Sequence, residues 1–191
     1  MTNVLTRWET LNQQLLYDAS PWLRLYSEHV RLPNGVEISD FYRIDMAAYV
    51  SIFAVDEQQR VALVEHYKHG PQHVSIELPA GYIESDDAPL ASAQRELREE
   101  TGLVSDDWQP LGEYFIDGNR GCGRMYAFLA QNARSIGATA HEPTELIRLH
   151  MKPIDEVYNL WLSGEISNAP MMAAVGRALV AIGYLGKTYG K

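Results

Sequence analysis

Cysteine is almost missing. Cys122 stands alone in 191 residues, so no internal disulfide can form, which fits a reducing compartment. Long apolar runs are missing as well: no stretch reaches the roughly 18 to 20 unbroken apolar residues of a membrane span. The opening residues, MTNVLTRWETLNQQLL, lack the basic-then-apolar order of a secretory signal. A cytoplasmic protein with no membrane partner is therefore expected. Positive charge is scarce, the formal balance being -9. That argues against a nucleic-acid partner, because such binding needs Lys and Arg to neutralise backbone phosphates. A small phosphorylated substrate remains compatible if divalent cations supply the charge the chain lacks. Zinc-type clusters of His and Cys are also wanting. His66, His69 and His73 fall around the Gly70-Pro71 turn and read as surface histidines. Cys122 lies in the loop GNRGCGR without a neighbour that would lower its thiol pKa, so it reads as a bystander.

What is present is enough apolar material, 46% of the chain, for one sizeable core. Residues 22–44 read as a hairpin around the turn Pro33-Asn34-Gly35. A second hairpin pairs the β-branched runs 47–55 and 61–67 across DEQQR, and HVSIELPAG adds a strand ending at Gly81. A helix follows from about Ala88 to Thr101, with Leu90, Ala93, Leu97 and Thr101 on one face and Gly102 as its stop. Strands at 109–117, 124–131 and 145–150 and helices near 153–163 and 168–183 complete the chain. This order predicts an α+β fold, a mixed central sheet sandwiched between helices, with an N-terminal antiparallel hairpin lobe.

The helix at 88–101 violates a local rule. Glu96, Glu99 and Glu100 share one side of its last two turns, where like charges cost about 0.2 to 0.5 kcal/mol per pair. They also face the negative end of the helix dipole, at roughly 0.3 to 1 kcal/mol each. Arg95 lies four residues before Glu99 and offsets part of this, whereas Glu96 and Glu100 have no cation at ideal spacing on their own face. A solvated acidic helix end is the bland alternative. Against it stands a helix that is otherwise correctly built and offends only at one end, as happens where local preference yields to function. Oxygen ligands without His or Cys favour a hard cation such as Mg2+ or Mn2+.

These residues carry a resemblance. Gly81, Asp87, Arg95, Glu96, Leu97, Glu99, Glu100, Gly102 and Leu103 stand at the spacing of the Nudix box, and every position matches except Asp87, where the family has Glu. ELPAG at 77–81, EHYK at 65–68, HEPTELIRL at 141–149 and the GEISNA turn resemble the ADP-ribose and ADP-sugar pyrophosphatase branch of that family. The resemblance implies a Nudix hydrolase domain over 46–186 and an N-terminal β lobe over 1–45 that serves as a dimerisation element.

It implies further that Glu96 and Glu100 are the principal metal ligands, with Glu99 sharing and the backbone carbonyl of Ala80 adding an oxygen. The general base of the branch falls on Glu145, with Glu142 as the second candidate. Lys68 matches a phosphate-contacting basic position, and Arg120 and Arg43 are the other candidates for substrate contact, Arg43 across a homodimer. The implied reaction is metal-dependent cleavage of the pyrophosphate bond of an ADP-sugar such as ADP-ribose, giving AMP and a sugar phosphate. A proline marker of ADP-ribose hydrolases is absent from IDGN at 116–119, which leaves GDP-sugars and NADH-like dinucleotides open. A non-catalytic nucleotide-sensing module is the alternative from another class, and the intact Glu96, Glu99 and Glu100 argue against it.

Overall fold

A computed structural model of the chain describes residues 5–84, 86–137, 139 and 146–186. It divides into two compact units, one of residues 5–47 with 115–124 and one of the described residues in 48–114 and 125–186. The segment 115–124, which the sequence pattern leaves in the larger domain, clusters with the first unit.

The first unit is built on an antiparallel meander of β1 (Glu9–Ala19), β2 (Leu23–Arg31) and β3 (Glu37–Met46). The turn between β2 and β3 uses the residues expected of it. Leu32 donates its N–H to Val36 O at 2.8 Å, Asn34 Oδ1 accepts from Val36 N–H at 3.1 Å, and Gly35 takes φ +85°, which an L side chain resists. Beside β3, Gly121 pairs with Ile44 at φ +89°, and a Cβ there would lie 2.9 Å from the Ile44 carbonyl oxygen. Only glycine fits. Strand β1 has no counterpart among the strands expected from sequence. Its residues are nearly all exposed, and register shifts between Thr10 and Asn12 and between Leu15 and Tyr17 break the alternation by which a strand is recognised.

In the second unit the chain runs β4 (Tyr49–Asp56), β5 (Arg60–Lys68), β6 (His73–Glu77), β7 (Ala80–Tyr82), α1 (Pro89–Thr101), β8 (Leu103–Val104), β9 (Asp107–Asp117), β10 (Gly121–Ser135), β11 (Arg148–Pro153), α2 (Ile154–Ser163) and α3 (Ala169–Ala181), with the end of β9 and the start of β10 in the first unit. The pairing is mixed. β10 runs parallel to β4 from Met125 opposite Tyr49 to Ala130 opposite Ala54, and β5 lies antiparallel to β4, β6 and β11. Being covered on both faces, β4 reads as a continuous apolar run rather than an alternating one. Val50, Ile52 and Ala54 join Ala93 and Leu97 of α1 in one core. Phe53 and Val55 point the other way, to Val157 of α2 and to Val175 and Leu179 of α3. The predicted α/β/α layering is thus realised.

The single strand expected from His73 to Gly81 is two strands. Pro79 has no N–H to give a ladder. β6 pairs with β5, the chain breaks at Leu78-Pro79 while the Pro79 carbonyl accepts from Ile52 N–H at 2.9 Å, and β7 resumes against β4 with Tyr82 opposite Tyr49. Among the described residues no helix is long and apolar enough to cross a membrane.

Candidate active site

The helix α1 starts at Pro89, whose fixed φ suits a first turn, and stops at Gly102, which takes φ +66° and donates its N–H to Arg98 O at 2.9 Å. Asp87, the departure from the box, serves the start of this helix. Its carboxylate accepts from the buried Ser92 hydroxyl at 3.2 Å, at the end of the helix where negative charge is favoured. Ala93, Leu97 and Thr101 are buried as expected, but Leu90 is 38% exposed.

The acidic residues are not a solvated helix end. Glu96 and Glu100 retain only 7% and 4% of their exposure. Both turn onto β7, at consecutive residues. Glu100 Oε2 accepts the Ala80 N–H at 2.9 Å. The Glu96 carboxylate lies so close against Gly81 that a Cβ on that residue would fall 2.0 Å from Glu96 Cδ. Gly81 is therefore glycine for want of space. Arg95 supplies the cation that helical spacing alone denies to Glu96: its Nη1 lies 2.8 Å from Glu96 Oε1 and 3.0 Å from Glu99 Oε2, while Nη2 donates to Tyr82 O at 3.0 Å. Burial works against the charge of this guanidinium, but Glu96 and Glu99 outweigh it and raise its pKa. The three carboxylates are thus shared between Arg95 and β7, and among the described residues no three His, Cys, Asp or Glu side chains form a ready cage for a metal ion. The donors suit a hard cation nonetheless. They are oxygen only, two of them are withdrawn from water, and both meet β7, Glu100 at Ala80, the expected main-chain ligand, and Glu96 at Gly81 next to it.

Beside β7, a cleft of about 480 Å³ is lined by Tyr49, Lys68, Glu77, Ala80 and Tyr82 and by Ser167 and Asn168. Lys68, singled out from sequence, thus shares a cavity with Ala80. Sequence reasoning missed Glu77 as a site residue, although it opens the ELPAG segment. Glu77 is 4% exposed, and its Oε2 sits 3.4 Å from Lys68 Nζ and 3.3 Å from His66 Nε2. Burial pushes the Glu77 carboxyl up, yet the His66 hydrogen bond and the Lys68 charge prevail and hold it below its ordinary value. His66 is accordingly no free surface histidine. Burial, with the charge of Glu77 nearby, pushes the Tyr49 phenol up to about 12, so it stays a neutral hydroxyl on the cleft wall. Asn168, from the GEISNA turn, caps α3 by accepting the Met171 N–H.

Among the described residues, the cleft lining does not include the other candidates. Glu65 of EHYK joins Arg148 at 2.9 Å and His150 at 3.0 Å, tying β5 to β11. Arg43 and Arg120 belong to the first unit. Arg43 pairs with the buried Glu28 at 2.8 Å and lies over the Tyr26 ring; Arg120 lies over Phe41 and donates to Tyr42 O at 3.3 Å. Burial and the charge of Asp117 push the Cys122 thiol up, in keeping with a bystander. Glu142 and Glu145 fall outside the described residues.

Residues 46–175 match the family model of the NUDIX domain, and residues 8–44 match that of the nucleoside diphosphate sugar hydrolase N-terminal domain. An ADP-ribose pyrophosphatase of Mycobacterium tuberculosis (strain ATCC 25618 / H37Rv) is 29% identical over 170 residues, 88% of this chain and 81% of its own. One of Bacillus subtilis (strain 168) is 24% identical over 152 residues, 79% of this chain and 82% of its own. Among solved structures, an ADP compounds hydrolase superposes with a TM-score of 0.82 at 19% identity, covering 97% of this chain and 99% of that one, which establishes the likeness of fold.

Proposed function

The chain belongs to the NUDIX family, and from that membership we propose that it is a divalent-metal-dependent hydrolase of the pyrophosphate bond in an ADP-sugar, ADP-ribose foremost, releasing AMP and a sugar phosphate. Hydrolases of this family generally need divalent metal ions. Bound here, Mg2+ or Mn2+ would supply positive charge against the diphosphate and would lower the pKa of a water molecule. Glu96 and Glu100 would hold it, with Glu99 sharing and the Ala80 carbonyl completing the oxygen set. Lys68 binds phosphate from the cleft wall, and the neutral Tyr49 hydroxyl beside it adds a hydrogen-bonding group without adding negative charge. Glu145, or failing it Glu142, takes the proton of the attacking water, and Glu99 is the remaining acid that can do so. Arg120 and Arg43 are substrate contacts, Arg43 across a homodimer assembled through the N-terminal unit. A reducing, cytoplasmic location accords with the lone cysteine.

One observation carries this reading: two carboxylates almost withdrawn from water are aimed at consecutive residues of one short strand. Burying such charge is costly even where Arg95 and the Ala80 N–H partner it, because one guanidinium is shared among neighbouring acids, and a local cost kept in place is expected where function needs it. The test is to incubate the purified protein with ADP-ribose, other ADP-sugars, GDP-sugars and NADH, with and without Mg2+, and to follow AMP or GMP release. Metal-dependent release of AMP from ADP-ribose is expected. Faster release from GDP-sugars or NADH would move the substrate assignment, and binding without turnover would turn the protein into a sensor.

A further inference from the structure

We infer that Glu77 is a positioning residue, which fixes the Lys68 ammonium at the cleft wall so that its free N–H donors face the diphosphate of the substrate. The inference rests on the proposed function, in which this cleft takes the diphosphate. An anionic side chain in a cavity meant for a diphosphate is at first sight a contradiction, since like charge weakens binding there. The geometry removes it. Val64 of β5 lies opposite Glu77, and His66 and Lys68 follow at steps of two along the same strand, hence on the same face. The Glu77 carboxylate reaches along that face to both, at 3.3 Å from His66 Nε2 and 3.4 Å from Lys68 Nζ. Its negative charge is thereby spent inside the wall, where 5% of the side chain is exposed, while the Lys68 side chain keeps 38%. Lys68 is otherwise a flexible four-carbon stem that would lose much rotamer freedom on grasping a phosphate. Anchoring one of the three ammonium donors moves that loss into folding and leaves two for the ligand. The depressed Glu77 carboxyl pKa agrees, because the anchor is ionised wherever the enzyme works near neutrality.

Glu77→Gln keeps the shape of the side chain and removes its charge. In the full chain with Mg2+ and ADP-ribose, KM should rise roughly tenfold while kcat stays within about threefold, the split expected when ground-state and transition-state binding are lost together. Lys68→Met should give the same signature. The two changes combined should cost little more than either alone, because both abolish one interaction. Glu77→Asp, which keeps the charge on a shorter arm, should recover part of the loss. Titration of ADP by calorimetry reads the same affinities without turnover, so a wild type that binds ADP but hydrolyses nothing would sink the proposed activity while the comparison of variants still judges Glu77. Multiplicative losses in the double variant, an unchanged KM for Glu77→Gln, or a fall in kcat at constant KM would each overturn the positioning role. If Glu77→Gln fails to fold, the Glu77→Asp and Lys68→Met pair carries the same comparison, and losses that multiply between them would again refute it.

Discussion

Replacing Gly81 by Ala adds one methyl group where the structure leaves room for none. The new Cβ would meet Glu96 Cδ at 2.0 Å and its two carboxylate oxygens at 2.1 and 2.3 Å. To regain ordinary carbon contact near 3.5 Å, the carboxylate must withdraw by roughly 1.5 Å. What moves is the far end of a flexible side chain and not backbone, so the fold should survive. The main loss is the 2.8 Å pair with Arg95, a partly exposed contact worth about 1 to 2 kcal/mol. For a domain of this size that lowers Tm by about 2 to 8 °C. Activity should suffer far more, since misplacing a group that must hold its partner within about 0.5 Å can cost 100-fold or more in rate. The assays are a thermal melt and a Mg2+ titration of AMP release. A large gap between a small Tm shift and a rate loss of two orders of magnitude is expected, with the apparent metal affinity weakened. Near-normal kcat and metal affinity in Gly81→Ala would refute the assignment of Glu96, and a collapse of the fold would refute the claim that only a side-chain terminus has to yield.

Glu100→Gln retains an oxygen to accept the Ala80 N–H but loses the charge; turnover should fall by about 1,000-fold or more with Tm little altered, and rates near wild type would exclude Glu100 as a ligand. Gly121→Ala forces a Cβ to 2.9 Å from a main-chain oxygen at φ +89°, so it should destabilise the first unit by about 2 kcal/mol or more, measured as the shift of the urea midpoint. Glu77 has a folded pKa below its ordinary 4.5, so its contribution to stability is whole above that value and is lost as pH falls through the folded pKa. Urea midpoints taken between about pH 6 and pH 3 should therefore drop less steeply for Glu77→Gln than for the wild type, and parallel curves would show that the His66 and Lys68 contacts add nothing in solution.

The parts of the fold legible in the sequence were those with an undisturbed period or a turn with obligatory chemistry. The stripe of Ala93, Leu97 and Thr101 located α1, Pro33-Asn34-Gly35 located the first hairpin, and the β-branched runs on either side of DEQQR located the pair β4 and β5. Strand β1 escaped because a mostly exposed strand has no apolar face to display and its two bulges reset the phase. The split between β6 and β7 was foreshadowed by Pro79 and overlooked because the surrounding residues remain β-favouring. At the candidate site, the charge conflict among Glu96, Glu99 and Glu100 drew attention to a helix end at which Glu96 and Glu100 prove to be buried. Arg95 was judged by helical spacing alone, and its contact with the adjacent Glu96 arises because a long guanidinium side chain can fold back along its own turn. Glu77 was silent because a lone acid in a strand gives no hint of burial. Its partners come from a neighbouring strand, and only pairing register brings them together.

Arg95 has a consequence for the life cycle of the site. By bridging two of the acids while its other arm rests on the Tyr82 carbonyl, it acts as a resident countercharge for the helix end. These contacts of the helix end are made within the chain itself, in contrast to small folds that a structural metal ion holds together. One guanidinium shared between Glu96 and Glu99 does not match the charge of three carboxylates, so a fixed arginine steadies the helix end while an attraction for further positive charge persists there.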